Sequence, residues 1–270
     1  MDGGTAISLP TDKILARSGD GVGWLTFNQP EKRNAISLAM WEGVAAAAEA
    51  FAADASVRVV VMLGAGGKAF ASGADISEFE ANRNSAAAEE EYYRVAAGAR
   101  QALHNMDKPI IAMVQGFCIG GGCATAMLAD LRVATPDSRF GIPAARLGVA
   151  YATESLRRLV ALVGPAVAKD IMFTGRMLTA AEALSAGLIN QVVEAEALEK
   201  TVADLAQRIA ANAPLSIRHA RAAIDMLTGN PANYDDAKLD ALYRACFDSE
   251  DFREGRTAFM AKRPPVFRGT

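Results

Sequence analysis

Residues 118–124 read Cys-Ile-Gly-Gly-Gly-Cys-Ala, and residues 69–76 read Ala-Phe-Ala-Ser-Gly-Ala-Asp-Ile. Both stretches are nearly bare of side chains. Glycines ahead of a helix leave its first N–H groups unpaired and let a ligand approach the main chain. The helix dipole adds positive potential at the same end. Two such turns facing each other could offer two backbone N–H groups to one oxygen, an anion or a developing oxyanion. The competing reading is that the glycines only allow a strand to pack tightly on a helix.

The elements that must position these turns can be read around them. Residues 57–63 (Val-Arg-Val-Val-Val-Met-Leu) and 110–114 (Ile-Ile-Ala-Met-Val) are near-continuous apolar runs, as expected of strands covered on both faces. Residues 131–134 and 192–193 are further short strands. Residues 14–17 and 23–27 flank Ser18-Gly19-Asp20-Gly21, a hairpin turn. Ser37 can cap a helix running to about residue 53, and Thr179-Ala-Ala-Glu182 is a capping box. Repeated strand–helix units imply right-handed crossovers in an α/β fold. From about residue 200 the text is almost wholly helical, broken at Pro214 and Pro231. The expected division is a core over 1–200 and a helical C-terminal region over 201–270.

Bulk properties exclude several classes. The chain has 270 residues, 51% of them hydrophobic, and a net charge of −3, so it can bury a sizeable core and has no global attraction to nucleic acid or anionic membrane. Cys118, Cys123 and Cys246 form no CxxC pair and suit a reducing compartment. No apolar run is long enough to span a bilayer, and a cytoplasmic protein is expected. No His/Cys/Asp/Glu group has metal-ligand spacing.

The company of the two turns adds specificity. Asn34-Ala35-Ile36, residues 69–76, Gln115-Gly-Phe-Cys-Ile-Gly-Gly-Gly122, Asp130-Leu-Arg-Val-Ala134, Phe140-Gly141-Ile-Pro143, Thr174-Gly175-Arg176 and the closing stretch 254–263 occur in this order. Together they resemble the crotonase (enoyl-CoA hydratase/isomerase) superfamily over residues 13–267. The resemblance implies a ββα spiral core with a helical C-terminal region and a lyase or isomerase acting on acyl-CoA thioesters, in a setting such as fatty acid metabolism. Coenzyme A would enter as part of the substrate, with no tightly bound cofactor and no metal. Homotrimers or dimers of trimers (hexamers) are the implied assemblies.

Residue by residue, the family's oxyanion-hole donors match the N–H groups of Ala74 and Gly121. The coenzyme A hook matches the segment Lys32, Arg33, Ala35 and the turn Ser72, Ala74, Asp75, Ile76, beside Gly120 and Gly121. Lys262 matches a C-terminal lysine that contacts nucleotide phosphates. For Lys32, Arg33 and Lys262 the alternative is a solvated surface cation.

The departures matter as much. The glutamate that follows the glycine triplet in the family's hydratases is Ala124 here, and the one that follows Phe-Gly-x-Pro is Ala144. Alanine cannot move a proton, so hydration should be weak. In the segment 147–154, Tyr151 and Glu154 are candidates for a polarising hydroxyl and a carboxylate base. Against this, Glu154 could simply open the next helix, Tyr151 could be a pocket wall, and Asp75 could be a turn acceptor. Three functions stay open: other crotonase chemistry (decarboxylase, isomerase or thioester hydrolase) using Tyr151 or Glu154, a weak hydratase, and a catalytically silent acyl-CoA-binding subunit.

Overall fold

The computed structural model describes residues 4–75, 86–229 and 235–270, with only the main chain at 86–89. A seven-stranded sheet has the order β1-β2-β3-β4-β6-β8-β11. Its strands are β1 (Thr5–Ile7), β2 (Ile14–Gly19), β3 (Val22–Phe27), β4 (Val59–Gly64), β6 (Ile110–Val114), β8 (Leu131–Ala134) and β11 (Gln191–Val192). The first three pair antiparallel, and the run from β3 through β4, β6 and β8 to β11 is parallel. A smaller sheet, β10-β9-β7-β5, comprises β5 (Ala69–Ala71), β7 (Phe117–Ile119), β9 (Arg139–Gly141) and β10 (Leu178–Thr179). Along the chain β4/β5, β6/β7 and β8/β9 each place one strand in each sheet, which is the spiral that the resemblance implies.

Local signals explain many of the elements. The β2–β3 hairpin turns on Asp20 and Gly21, both with positive φ (51° and 80°), the geometry whose twist matches the strands. Ser37 caps α1 (Leu38–Ala53) by accepting from Met40 N at 3.2 Å. Thr179 and Glu182 form the capping box of a short helix over Ala180–Ser185.

The layers close around the large sheet. One face packs with α1 and the second sheet into the main core, where Trp41, Phe27, Phe51, Phe70 and Phe140 are fully buried. Helix α2 (Ala86–Asn105) packs along α1. The other face, with Val59, Val61, Ile111 and Val133, is covered by Leu198, Val202 and Ala206 of the helix Ala195–Ala210, which spans the expected division at residue 200. After it come helices over Pro214–Thr228, Asp236–Asp248 and Glu250–Met260. Among the described residues, no helix is long and apolar enough to cross a membrane.

Helix α3 (Gly121–Ala126) sits directly on the second sheet. A Cβ on Gly122 would lie 2.1 Å from the Ala71 carbonyl oxygen of β5, so only glycine allows this approach. Gly122→Ala is expected to destabilise the protein by about 3 kcal/mol, the scale of forced overpacking, in a chemical denaturation titration.

Candidate active site

The second sheet delivers two strand ends side by side. β5 ends at Ala71 and runs into Ser72-Gly73-Ala74-Asp75, while β7 ends at Ile119 and turns through Gly120 into α3. Gly73 (φ +113°) and Gly120 (φ +56°) take conformations that L side chains rarely adopt. Ile36 bridges to Ala74, its N–H donating to Gly73 O at 2.7 Å and its carbonyl accepting from Asp75 N at 3.0 Å. Bonding through residues 73 and 75 turns the Ala74 N–H to the opposite side. Gly121 is the first residue of α3, where an N–H has no intrahelical acceptor. Neither N–H has a backbone partner among the described residues. The two turns touch: a Cβ on Gly121 would lie 3.7 Å from Ala74 N, and one on Gly73 would lie 3.8 Å from Gly121 N. Two unpaired donors so arranged can hold one oxygen that gains charge.

A polar brace holds the first turn. Asp75 is buried, and its Oδ2 accepts from Lys32 Nζ at 2.8 Å and Gln29 Nε2 at 3.2 Å. Ser72 N donates to Arg33 O at 3.1 Å and its hydroxyl to Lys32 O. Asn34, fully buried, accepts from Gln29 N and donates to Ala65 O and Ala69 O. Asp75 therefore ties its turn to the segment of Gln29 and Lys32, and the charge of Lys32 is engaged within the protein.

The structure thus brings Lys32, Ser72, Ala74, Asp75, Gly120 and Gly121 together, with the buried Ala35 between Asn34 and Ile36. Ile76 lies outside the described residues. Arg33 extends over the Phe117 ring, 5.0 Å from its centroid. It lines an open cleft of about 400 Å³ with Lys68 and Arg139, cations that the sequence reading did not single out. Lys262 follows the last helix, exposed, and its backbone N–H donates to Phe259 O.

The candidate acid–base positions separate clearly. Ala124 and Ala144 are buried in the main apolar core. Tyr151 packs against that core, and its hydroxyl is buried without a hydrogen-bond partner. Burial, reinforced by nearby Cys123, pushes its phenol well above the ordinary range. Glu154 is exposed and ion-paired to Arg157 (3.6 Å) and Arg158 (3.4 Å) on its own helix, Thr153–Thr174. Cys118 is fully buried, and burial raises its thiol pKa, which suits packing rather than nucleophilic work. The sequence reading also missed Arg100, whose Nε is buried and unpartnered. The available signal was its place one turn after Ala96, on the stripe where Ala96, Ala99 and Leu103 are buried.

The family model for enoyl-CoA hydratase/isomerase matches residues 17–270. The chain belongs to the enoyl-CoA hydratase/isomerase family. Within it, the chain is 34% identical over 252 residues to a short-chain-enoyl-CoA hydratase of Clostridium acetobutylicum, covering 93% of this chain and 95% of that protein. It is also 34% identical over 259 residues to a crotonyl-CoA hydratase of Syntrophomonas wolfei, covering 95% and 98%. A crystal structure of an enoyl-CoA hydratase/carnitine racemase from Magnetospirillum magneticum superposes with a TM-score of 0.91 at 39% identity, covering 97% of each chain. Membership in this enoyl-CoA hydratase/isomerase family makes the protein an enzyme of the acyl-CoA type and accounts for the two-sheet spiral around the paired turns.

Proposed function

We propose that the Ala74 and Gly121 N–H groups bind the carbonyl oxygen of an acyl-CoA thioester and stabilise the enolate formed from it. The observation that carries this reading is the meeting of two N–H groups, neither with a backbone partner among the described residues, across the turns that follow β5 and β7. Thioester carbonyl carbon chemistry develops negative charge on that oxygen, and fixed donors stabilise it without reorganising. Hydration should be weak, because the positions that would hold a water between two carboxylates carry the buried methyl groups of Ala124 and Ala144.

Other chemistry on the same enolate is the second reading, favoured by the unpartnered Tyr151 hydroxyl. A neutral phenol kept protonated by burial can donate a proton or polarise a group, and it serves poorly as a base at neutral pH. Glu154, held outward by two arginines, is the weaker candidate. Coenzyme A would bind as part of the substrate, with phosphates near Arg33 and with Lys262 contributed by a neighbouring subunit. Phe259 (83% exposed) and Met260 (82% exposed) leave an apolar end on the C-terminal helix for that neighbour, in a trimer or a dimer of trimers.

Incubation with 2-enoyl-, 3-enoyl-, malonyl- and saturated acyl-CoA thioesters, followed by mass spectrometry of all products, tests the reading. The expected outcome is conversion of at least one thioester, with water addition to 2-enoyl-CoA about 10²–10⁴-fold below that of a two-glutamate enzyme. Full-speed hydration would overturn the assignment of roles to Ala124 and Ala144. Binding without any conversion would replace the enzyme reading with a silent acyl-CoA-binding subunit, and absence of binding would overturn the whole reading.

A further inference from the structure

Arg100 is a cation placed where the fold expects an apolar residue. Its guanidinium lies over the ring of Trp41, 4.9 Å from the centroid, and Trp41 is itself buried with Nε1 donating to the Tyr92 hydroxyl at 3.2 Å. Stacking of this kind holds a guanidinium in one orientation. The Arg100 Nε is fully buried and makes no hydrogen bond, and the same is true of the Tyr151 hydroxyl. Burial lowers the pKa of Arg100, and the ionisable groups around it are Tyr92, Tyr151 and Tyr93, with no carboxylate beside it among the described residues. Two acids close to the site in sequence are engaged elsewhere: Asp75 by Lys32 and Gln29, Glu154 by Arg157 and Arg158.

Among the described residues, Arg100 has no carboxylate partner for its buried Nε and the Tyr151 hydroxyl has no hydrogen-bond partner, and both conditions are costly. Each such group in a native structure calls for an explanation, and a bound ligand that completes it is one. The chemistry of the missing partner can be read from what is orphaned. An arginine Nε–H only donates, and a protonated phenol donates its one hydrogen. Their common complement is an acceptor bearing negative charge, and a carboxylate matches the planar guanidinium best. Tyr92, Trp41 and Tyr151 pack around the same core as Ala124 and Ala144, and Tyr151 lies near both Arg100 and Cys123, two residues past Gly121.

We propose that Arg100 and Tyr151 form a subsite for a carboxylate at the far end of the acyl chain, so that the preferred ligands are CoA thioesters of dicarboxylic acids. This rests on reading the Ala74–Gly121 turns as the thioester site. The carboxylate would neutralise Arg100 and accept from the Tyr151 hydroxyl. Trp41 would hold the guanidinium plane, which makes it a positioning residue for the subsite.

The test is calorimetric titration of the full-length protein with glutaryl-CoA and adipyl-CoA, each against its chain-matched pentanoyl-CoA or hexanoyl-CoA. At least one dicarboxylyl thioester is expected to bind about tenfold or more tighter than its match, the scale of a hydrogen bond to a charged group. Arg100→Gln should erase that preference while holding the affinity for the monocarboxylic thioesters within about twofold, and Arg100→Lys should restore part of it. Equal or tighter binding of the monocarboxylic thioesters by the unaltered protein overturns the subsite and leaves the thioester site standing. Failure of all four to bind overturns both. The comparison within the unaltered protein decides the matter even where Arg100→Gln does not fold.

Discussion

Gly121→Pro is expected to lower turnover of the preferred acyl-CoA by at least about 10²–10³-fold, the loss that follows removal of one oxyanion donor. The substitution deletes the N–H and places ring carbons in the space beside Ala74 N, where a Cβ would already lie at 3.7 Å. The fold should tolerate it. Gly121 is the first residue of α3, where proline is well accepted because the N–H it removes has no intrahelical partner. The melting temperature should therefore change little while turnover collapses, and thioester binding should partly survive through the rest of the coenzyme A contacts. Gly121→Ala separates the two effects. It keeps the N–H and fills the gap with one methyl, so an intermediate loss is expected. Unchanged turnover in the proline variant would refute the role given to this N–H.

Ala124→Glu combined with Ala144→Glu is expected to raise hydration of crotonyl-CoA by about 10²-fold or more, since a positioned general acid–base contributes roughly 10²–10⁴. Ala124 follows Gly121 by three positions on α3, so the two lie on one side of that helix. Ala144 opens the short helix Ala144–Leu147 directly after β9 and Pro143. Both alanines are buried, at 6% and 4% exposure, so the new carboxylates will cost stability and carry raised pKa values. Loss of the enoyl absorbance of crotonyl-CoA reads the gain, and each single variant should show much less than the pair. A folded double variant with no gain would mean that these two positions do not face the reacting carbons, and that the low hydration expected here has another cause.

The sequence carried the fold best where one local signal decides one element. The Ser37 cap of α1, the Asp20-Gly21 hairpin and the Thr179–Glu182 capping box each depend on a few adjacent residues. The doubly covered strands β4 and β6 betray themselves as near-continuous apolar runs. The second sheet was opaque for a physical reason. Its strands β5, β7 and β9 have three residues each, too short to show any period, and they pair across gaps of dozens of residues. Residues 69–71 therefore read only as the approach to a turn, and their pairing with residues 117–118 is visible only in the fold.

The site divides in the same way. That the two turns bare their N–H groups was legible, because glycine and alanine leave nothing else to offer. The Gly-Ala-Asp setting of Asp75 suggested an acceptor within its own turn, and the partners the structure gives its carboxylate are Lys32 and Gln29, from another segment. What could not be read was direction. Lys32 turns inward to a carboxylate 43 residues away in sequence, and Glu154 turns outward to its own helix. Arg100 stood on the buried stripe of α2, yet its lack of a carboxylate partner among the described residues emerges only once Trp41 and Tyr151 have been folded near it.

The most direct measurement is the infrared stretch of a ¹³C-labelled thioester carbonyl in bound acyl-CoA, compared between the unaltered protein and Gly121→Pro. Two converging N–H donors polarise the carbonyl, so its stretch should fall below the solution frequency in the unaltered protein. It should return toward the solution value in Gly121→Pro with ligand still bound. The same frequency in both proteins would contradict the claim that the Ala74 and Gly121 N–H groups together hold the thioester oxygen.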